Sequence, residues 1–429
     1  MADFMDEKAR DTYAAGDANP VVESAEFALK KTNLVQINDE GVKGAAALIH
    51  ARMHTESYTP RTWRTHALHL RPPEPYDAAA PGTRATLDWV FLVSALNFSF
   101  WSAREDSADG SRYGVQWRAG WDSDIGEEEE VVHTGYWSLV AAVDRALDED
   151  IPITSPAFYA SEALCPDSLI EHVFRAAPRC REGIPLLRER IAVMREVGFI
   201  LCASFGGSFQ GFLDEFKRRY GPEGTALQLV QMVTDTFPSF RDETWYEGRR
   251  VFFWKRAQIL AAETWAAFYP AHGGDAHPLF PHGMRQLTMF ADYRVPQILH
   301  HLRILAYPPA LVRMLRAHAP LAPGGREEVS VRAASVVAVE RLREAIGELQ
   351  RAEAAARRGA EAEAEAEAEE GRGEGEGEGG EGGEEPVSSV LIDFYLWDLA
   401  KRLECGSDRI EGVQTEEIVP AHRTRSIWY

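Results

Sequence analysis

The stretch Leu287–Gln297, LTMFADYRVPQ, sets one carboxylate, Asp292, in an apolar run, two residues after the ring of Phe290 and two before Arg294. An acid in that company must be paired, open to a cavity or protonated, because burying a lone carboxylate is costly. Two readings follow. Beside a ring that can stack on a flat ligand, Asp292 has the make-up of a catalytic group; bonded to Arg294 or to a backbone N–H, it is a helix end. Pro296 restricts Val295 to extended geometry and is expected to stop a helix from running through the segment.

Two further places combine acids or bases with aromatic rings. In SSVLIDFYLWDLAKRL, Asp393 and Asp398 interrupt an otherwise apolar helical pattern, with Phe394 next to the first. Five residues apart, they stand roughly 140° from each other around a helix. They would touch different parts of one ligand, or one is exposed and the other pairs with Arg402. His69, just before the Pro-rich break RPPEPYDAAAPG, is the third candidate, with His66 a near neighbour. Metal chemistry has no such support. His272, His277 and His282 recur at five-residue steps, but Gly and Pro lie between them and the spacing matches no ligand motif. There is no GxGxxG outside the Gly/Glu repeats at 371–383, no Walker lysine loop and no GxSxG elbow, so dinucleotide, triphosphate and acyl-transfer chemistries have no support, and neither a metal nor a cofactor is expected.

The elements that must carry these groups read as mainly helical. Helical spacing runs through Asp11–His54, Trp137–Leu147, Pro185–Phe205, from Ser208, from Thr225, Arg256–Phe268 with Lys255 at its first turn, Pro308–Ala317 and Val329–Leu349. Tyr113–Gly120 and Val131–Tyr136 read as short strands. Thr86–Trp101, TLDWVFLVSALNFSFW, is a buried strand or a buried helix, which periodicity does not decide; Asn97 within it needs partners and is a candidate cavity wall. Between Glu361 and Glu385 stand twelve Glu and one Arg, about half of the formal charge of -21. This Glu/Ala/Gly tract is expected to be a disordered insertion at 360–386, because like charges and glycine oppose a helix. Residues 1–359 and 387–429 are then two parts of one domain.

With 429 residues, 45% hydrophobic and 26% charged, the composition is that of a soluble globular protein. No basic surface is indicated, which disfavours a long nucleic acid but leaves room for a small nucleotide held by a few cations. Four separated cysteines without a CxxC pair fit a reducing compartment. The acidic N-terminus is not expected to be a signal peptide, no membrane span is expected, and a cytoplasmic location follows as the expectation.

Taken together, LNFSFW (Leu96–Trp101), GYWSLVAAVDRALDEDIPITS, FGGSF, FPSFRD, KRAQIL, LTMFADYRVPQ, EEVSVRAAS and DFYLWD, in this order, resemble the queuosine salvage protein family, the queuosine 5'-phosphate N-glycosylase/hydrolases. The resemblance implies a helical fold similar to helix-hairpin-helix DNA glycosylases, and hydrolysis of the N-glycosidic bond of queuosine 5'-monophosphate to release queuine for tRNA. It places the catalytic aspartate on Asp292, the base-stacking ring on Phe290, a ligand-contacting histidine on His69 (with His66 as rival) and the C-terminal acids on Asp393 and Asp398. Phe394 stands where the family often has tyrosine, so the ring remains but a hydroxyl is lost. Lys255, Arg256 and Arg294 are candidates for the phosphate. Two other classes are weighed beside this: a glycosylase-like protein acting on tRNA, and a non-catalytic queuine-binding protein.

Overall fold

The side chain of Asn19 accepts from the Val21 N–H and Pro20 follows in the first turn, so the opening helix α1 (Pro20–Thr32) starts with a cap and a residue that needs no N–H there. The computed structural model describes residues 19–104, 111–123, 131–272, 276–280, 282–369 and 386–429, with backbone only for 361–369. Strand β1 (Gln36–Ile37) and helix α2 (Asp39–Thr55) follow, then α3 (Pro81–Ala95), a hairpin of β2 (Gly114–Trp117) and β3 (Val131–Thr134), and α4 (Tyr136–Asp148). Helices α5 (Pro156–Tyr159), α6 (Asp167–Val173), α7 (Leu187–Ser204), α8 (Phe209–Tyr220) and α9 (Ala226–Thr236) lead to a second hairpin, β4 (Glu243–Tyr246) and β5 (Arg249–Phe252). The chain finishes with α10 (Lys255–Ala267), α11 (Arg294–His301), β6 (Leu305–Ala306), α12 (Pro309–Arg316), α13 (Arg326–Glu369) and α14 (Ser389–Glu404).

The fold is mostly helical with a few short strands, in one domain around a continuous core. Each sheet among the described residues is a two-stranded antiparallel pair, β1 with β6, β2 with β3 and β4 with β5. Helices α1 and α2 lie on α13, α11 lies on α14, and α10 packs on α3 and α9. The apolar run left open between helix and strand is the helix α3, buried continuously from Thr86 to Ala95.

Helix α10 is buried along its whole length although it carries Lys255, Arg256, Gln258, Glu263 and Thr264. Buried polar groups must find partners, and these do. Arg256 donates to the carbonyls of Ala95 and Ser239, Gln258 bonds Thr288, and the Thr264 hydroxyl donates to the Leu260 carbonyl at 2.7 Å. Lys255 and Glu263 also have partners, Asn97 and Tyr136, and line a cavity.

Two expectations change. Val295 is not extended: with Pro296 it lies in the first turn of α11, where the N–H that proline lacks has no helical acceptor to lose, although no helix runs through the segment before Arg294. Helix α13 continues to Glu369, into the alanine-rich start of the acidic tract, where alanine supports a helix despite the charges. The rest of the expected disordered insertion, 370–385, lies outside the described residues. Among those described, no single helix is long and apolar enough to cross a membrane.

Candidate active site

The segment Thr288–Asp292 has no regular structure, so its backbone groups must be held from outside. The Thr288 N–H donates to Gln258 Oε1 at 2.9 Å, and the Phe290 N–H donates to Asp393 Oδ1 at 2.9 Å. The Ala291 carbonyl accepts from Arg332 Nε at 2.8 Å. Arg332, on α13, also donates to both oxygens of Asp242, at 3.0 and 2.5 Å, and to Glu328 at 3.3 Å. Asp242 in turn accepts from the Lys255 N–H at 3.2 Å, at the start of α10. One buried guanidinium therefore fixes α10 and the Phe290–Asp292 segment relative to each other. That gives a physical role to two of the motifs behind the family resemblance, FPSFRD and EEVSVRAAS.

The helix-end reading of Asp292 holds, and it uses only one carboxylate oxygen. Its Oδ1 accepts from the N–H groups of Arg294 and Val295, at 2.8 and 3.0 Å, closing the N-terminus of α11. Its Oδ2 makes no hydrogen bond among the described residues, and the residue lines a cavity of about 480 Å³. That volume falls in the range of small-molecule sites.

Helix α14 forms a second wall with Asp393, Phe394, Trp397, Asp398 and Lys401. Steps of four residues (393, 397, 401 and 394, 398) make a broad face, so two acids 140° apart both reach one cavity because the cavity wraps around the helix. Asp393 is 3% exposed. Burial, and then the charge of Asp292, push its carboxyl well above the usual carboxylate range. Asp398 is raised by burial and accepts from the Tyr58 hydroxyl at 2.6 Å; Arg402, the partner considered from sequence, bonds Glu56 instead. The rings of Phe290 and Phe394 stand 5.8 Å apart at 57°.

A third wall carries the histidines. His69 stacks on Trp63 at 3.9 Å and its Nδ1 lies 2.6 Å from the Trp63 carbonyl. That bond requires the proton on Nδ1, which leaves Nε2 as an acceptor; Nε2 is buried and makes no hydrogen bond. Burial lowers the imidazole to about 3, so it is neutral. His66, stacked on Trp137 at 3.5 Å and lowered by burial to about 4, lines the same cavity.

The fourth wall is α10. Lys255 Nζ donates to the carbonyl and side-chain oxygens of Asn97 at 2.9 and 3.1 Å, which puts Asn97 on the cavity wall as its sequence context suggested. Burial lowers the Lys255 ammonium to about 8 against the opposing pull of Asp292. Arg294 also lines the cavity and bonds Gln297 at 3.2 Å. Arg256 is not part of the site: 100° on from Lys255, it is fully buried against backbone carbonyls. Glu263, Tyr136 and Tyr58 are among the cavity residues that went unnoticed in the sequence. Of these, Glu263 had a signal, its position two turns beyond Lys255. His277, from the loop set aside as a metal site, faces the Trp265 carbonyl at 3.0 Å. Among the described residues the one group of three that could ligate an ion is His50, His54 and Glu353, and it is not the set that converges on Asp292.

All six residues singled out by the resemblance, His69, Phe290, Asp292, Asp393, Phe394 and Asp398, thus meet in one place. A family model described as "Queuosine salvage protein" matches residues 77–429. It begins beyond His69, but full-length relatives extend over that wall too. Proteins named "Queuosine 5'-phosphate N-glycosylase/hydrolase" are similar to this chain: one from Schizosaccharomyces pombe is 36% identical over 414 residues, covering 95% of this chain and 99% of the relative. One from Mus musculus is 35% identical, covering 95% and 98%, and one from Sphaerobacter thermophilus is 32% identical, covering 96% and 99%. A match that spans nearly the whole of each chain, around a cavity built from the expected residues, places this protein in the queuosine salvage protein family.

Proposed function

We propose that this protein hydrolyses the N-glycosidic bond of queuosine 5'-monophosphate, releasing queuine for reuse in tRNA and leaving ribose 5-phosphate. The observation that carries the reading is the gathering of three aspartates, two phenylalanines and His69 on one nucleotide-sized cavity. The names of the relatives, over nearly full length, support the same reaction.

Cleavage moves the bonding pair of the C1'–N bond onto the base and leaves positive charge on C1' and the ring oxygen. Water then adds to C1' and gives up a proton, while the departing nitrogen gains one. A carboxylate oxygen fixed beside C1' stabilises the developing charge, and it does so best where reorganisation is already complete. Asp292 suits that role because two backbone N–H groups hold one oxygen while the other is unbonded. Asp393 takes the pairing edge of the 7-deazaguanine, whose N–H groups need an acceptor. Phe290 and Phe394 contact the heterocycle, one ring tilted against the other. His69 Nε2 accepts from a substrate hydroxyl. Lys255 and Arg294 serve the phosphate end. Under the same reading the helical frame is related to helix-hairpin-helix DNA glycosylases, with a free nucleotide in place of a duplex; the net charge of -21 supports the free nucleotide.

The test is incubation of wild type and Asp292→Asn with queuosine 5'-monophosphate, following queuine by mass spectrometry. Release by wild type and its loss in the variant is the expected result. Binding without release by either protein would leave a queuine-binding protein in place of an enzyme.

A further inference from the structure

Lys255, Ile259 and Glu263 line the cavity from α10 at four-residue steps, so they form a row along one face. At 1.5 Å per residue its ends lie about 12 Å apart along the axis. The row runs from a cation to an acid. Glu263 is 6% exposed. Its Oε1 accepts from the Tyr136 hydroxyl at 3.1 Å, while Oε2 is buried and makes no hydrogen bond, although Ser94 lies beside it. The Tyr136 ring meets Trp137 at 4.9 Å and Trp397 at 5.9 Å, both edge to face. All three rings line the cavity. An acid with an unused oxygen near aromatic rings suits an organic cation, since the carboxylate supplies charge and the ring faces add attraction.

We infer that Glu263 binds the secondary ammonium in the side arm of the queuine base, and that the row on α10 sets which way round the nucleotide lies. The inference rests on the proposed substrate, which is anionic at its 5'-phosphate and cationic at the aminomethyl arm. Lys255 meets the anionic end, on the Asp292 side, and Glu263 meets the cationic end two turns along. Asp393 is given to the pairing edge of the base, which leaves Glu263, bonded to the ring hydroxyl of Tyr136, to meet the arm. Burial raises the Glu263 carboxyl to about 7, and a bound cation favours its ionised form. A purely structural Glu263, protonated and turned to Ser94, would matter equally for any base.

The experiment compares wild type, Glu263→Gln and Glu263→Asp on queuosine 5'-monophosphate and on 7-deazaguanosine 5'-monophosphate, which lacks the arm. Glu263→Gln is expected to lower kcat/KM for queuosine 5'-monophosphate by about 10- to 100-fold, mainly through KM, in line with a lost charge-assisted hydrogen bond. The ratio between the two substrates falls by at least about tenfold, and Glu263→Asp restores part of it. That ratio is taken within one variant, so a partly unfolded preparation does not distort it. Equal losses on both nucleotides would overturn the inference. If wild type releases no base, the proposed reaction fails separately. The inference is then judged by calorimetry with free queuine and 7-deazaguanine: a selective loss of queuine binding in Glu263→Gln upholds it, and an unchanged preference overturns it.

Discussion

Behind the cavity, Arg332 lies between Asp242 and Glu328, all three nearly inaccessible, and the acids are taken up on all sides. Asp242 meets the guanidinium with both oxygens and the Lys255 N–H with one of them; Glu328 meets Arg332 with one oxygen and the Gly324 N–H with the other. In front of it, Asp292, Asp393, Asp398 and Glu263 each give one oxygen to a protein donor and leave the other without a hydrogen bond among the described residues. The residue types are the same, and Asp393 and Glu263 are buried almost as deeply, while Asp292 and Asp398 are half-buried. What separates scaffold from site is the valence left over: a saturated charge fixes geometry, and an unsaturated one has something to offer a ligand.

Four perturbations bear on that contrast, in order of expected effect. Asp292→Asn should lower kcat by about a thousandfold or more, as loss of one electrostatic stabiliser does. Asparagine caps helices as well as aspartate, so the melting temperature should stay close to wild type; a large fall would mean that Asp292 belongs with the scaffold. Arg332→Met should do the reverse. It strands two buried acids, at a cost of about 3–5 kcal/mol in urea unfolding, and an undiminished midpoint would refute the role given to the cluster.

His69→Asn keeps a donor toward the Trp63 carbonyl and removes the Nε2 acceptor, so KM should rise about tenfold with a smaller change in kcat. The same variant tests the protonation state. His69, lowered by burial to about 3, binds fewer protons folded than unfolded, so its contribution is complete above pH 6.5 and is lost as pH falls toward 3. The stability gap between wild type and His69→Asn should therefore narrow on acidification, and a constant gap would show that His69 is not buried neutral. Removing residues 370–385, a dense patch of charge in the chain, should leave kcat/KM within about twofold. The carboxylates given roles in the proposed reaction lie elsewhere in the sequence.

The sequence made the centre of the site legible because its acids stand in apolar company. Asp292 after Met289, Phe290 and Ala291, and Asp393 and Asp398 between leucines and aromatics, are hard to place as surface residues or as plain core. Glu263 escaped notice because an acid four or eight residues from its neighbours also fits the wet face of an ordinary amphipathic helix. Only the packing shows that α10 has no wet face. Arg256 was misplaced for the complementary reason: next to Lys255 in sequence, it points elsewhere on the helix. The helix through Pro296 was missed because proline breaks a helix only beyond its first turn. For α3, a run buried on every side carries no period that separates helix from strand.

Trp63, Trp137 and Trp397 stand in the cavity wall, three of the eleven tryptophans in the chain. A flat heterocycle entering among them changes the surroundings of three indoles at once, so occupancy should register as a change in intrinsic fluorescence. In Asp292→Asn, where turnover is suppressed, that optical signal reports affinity and arrival rate for the nucleotide without a label, and it separates the act of binding from the chemistry that follows.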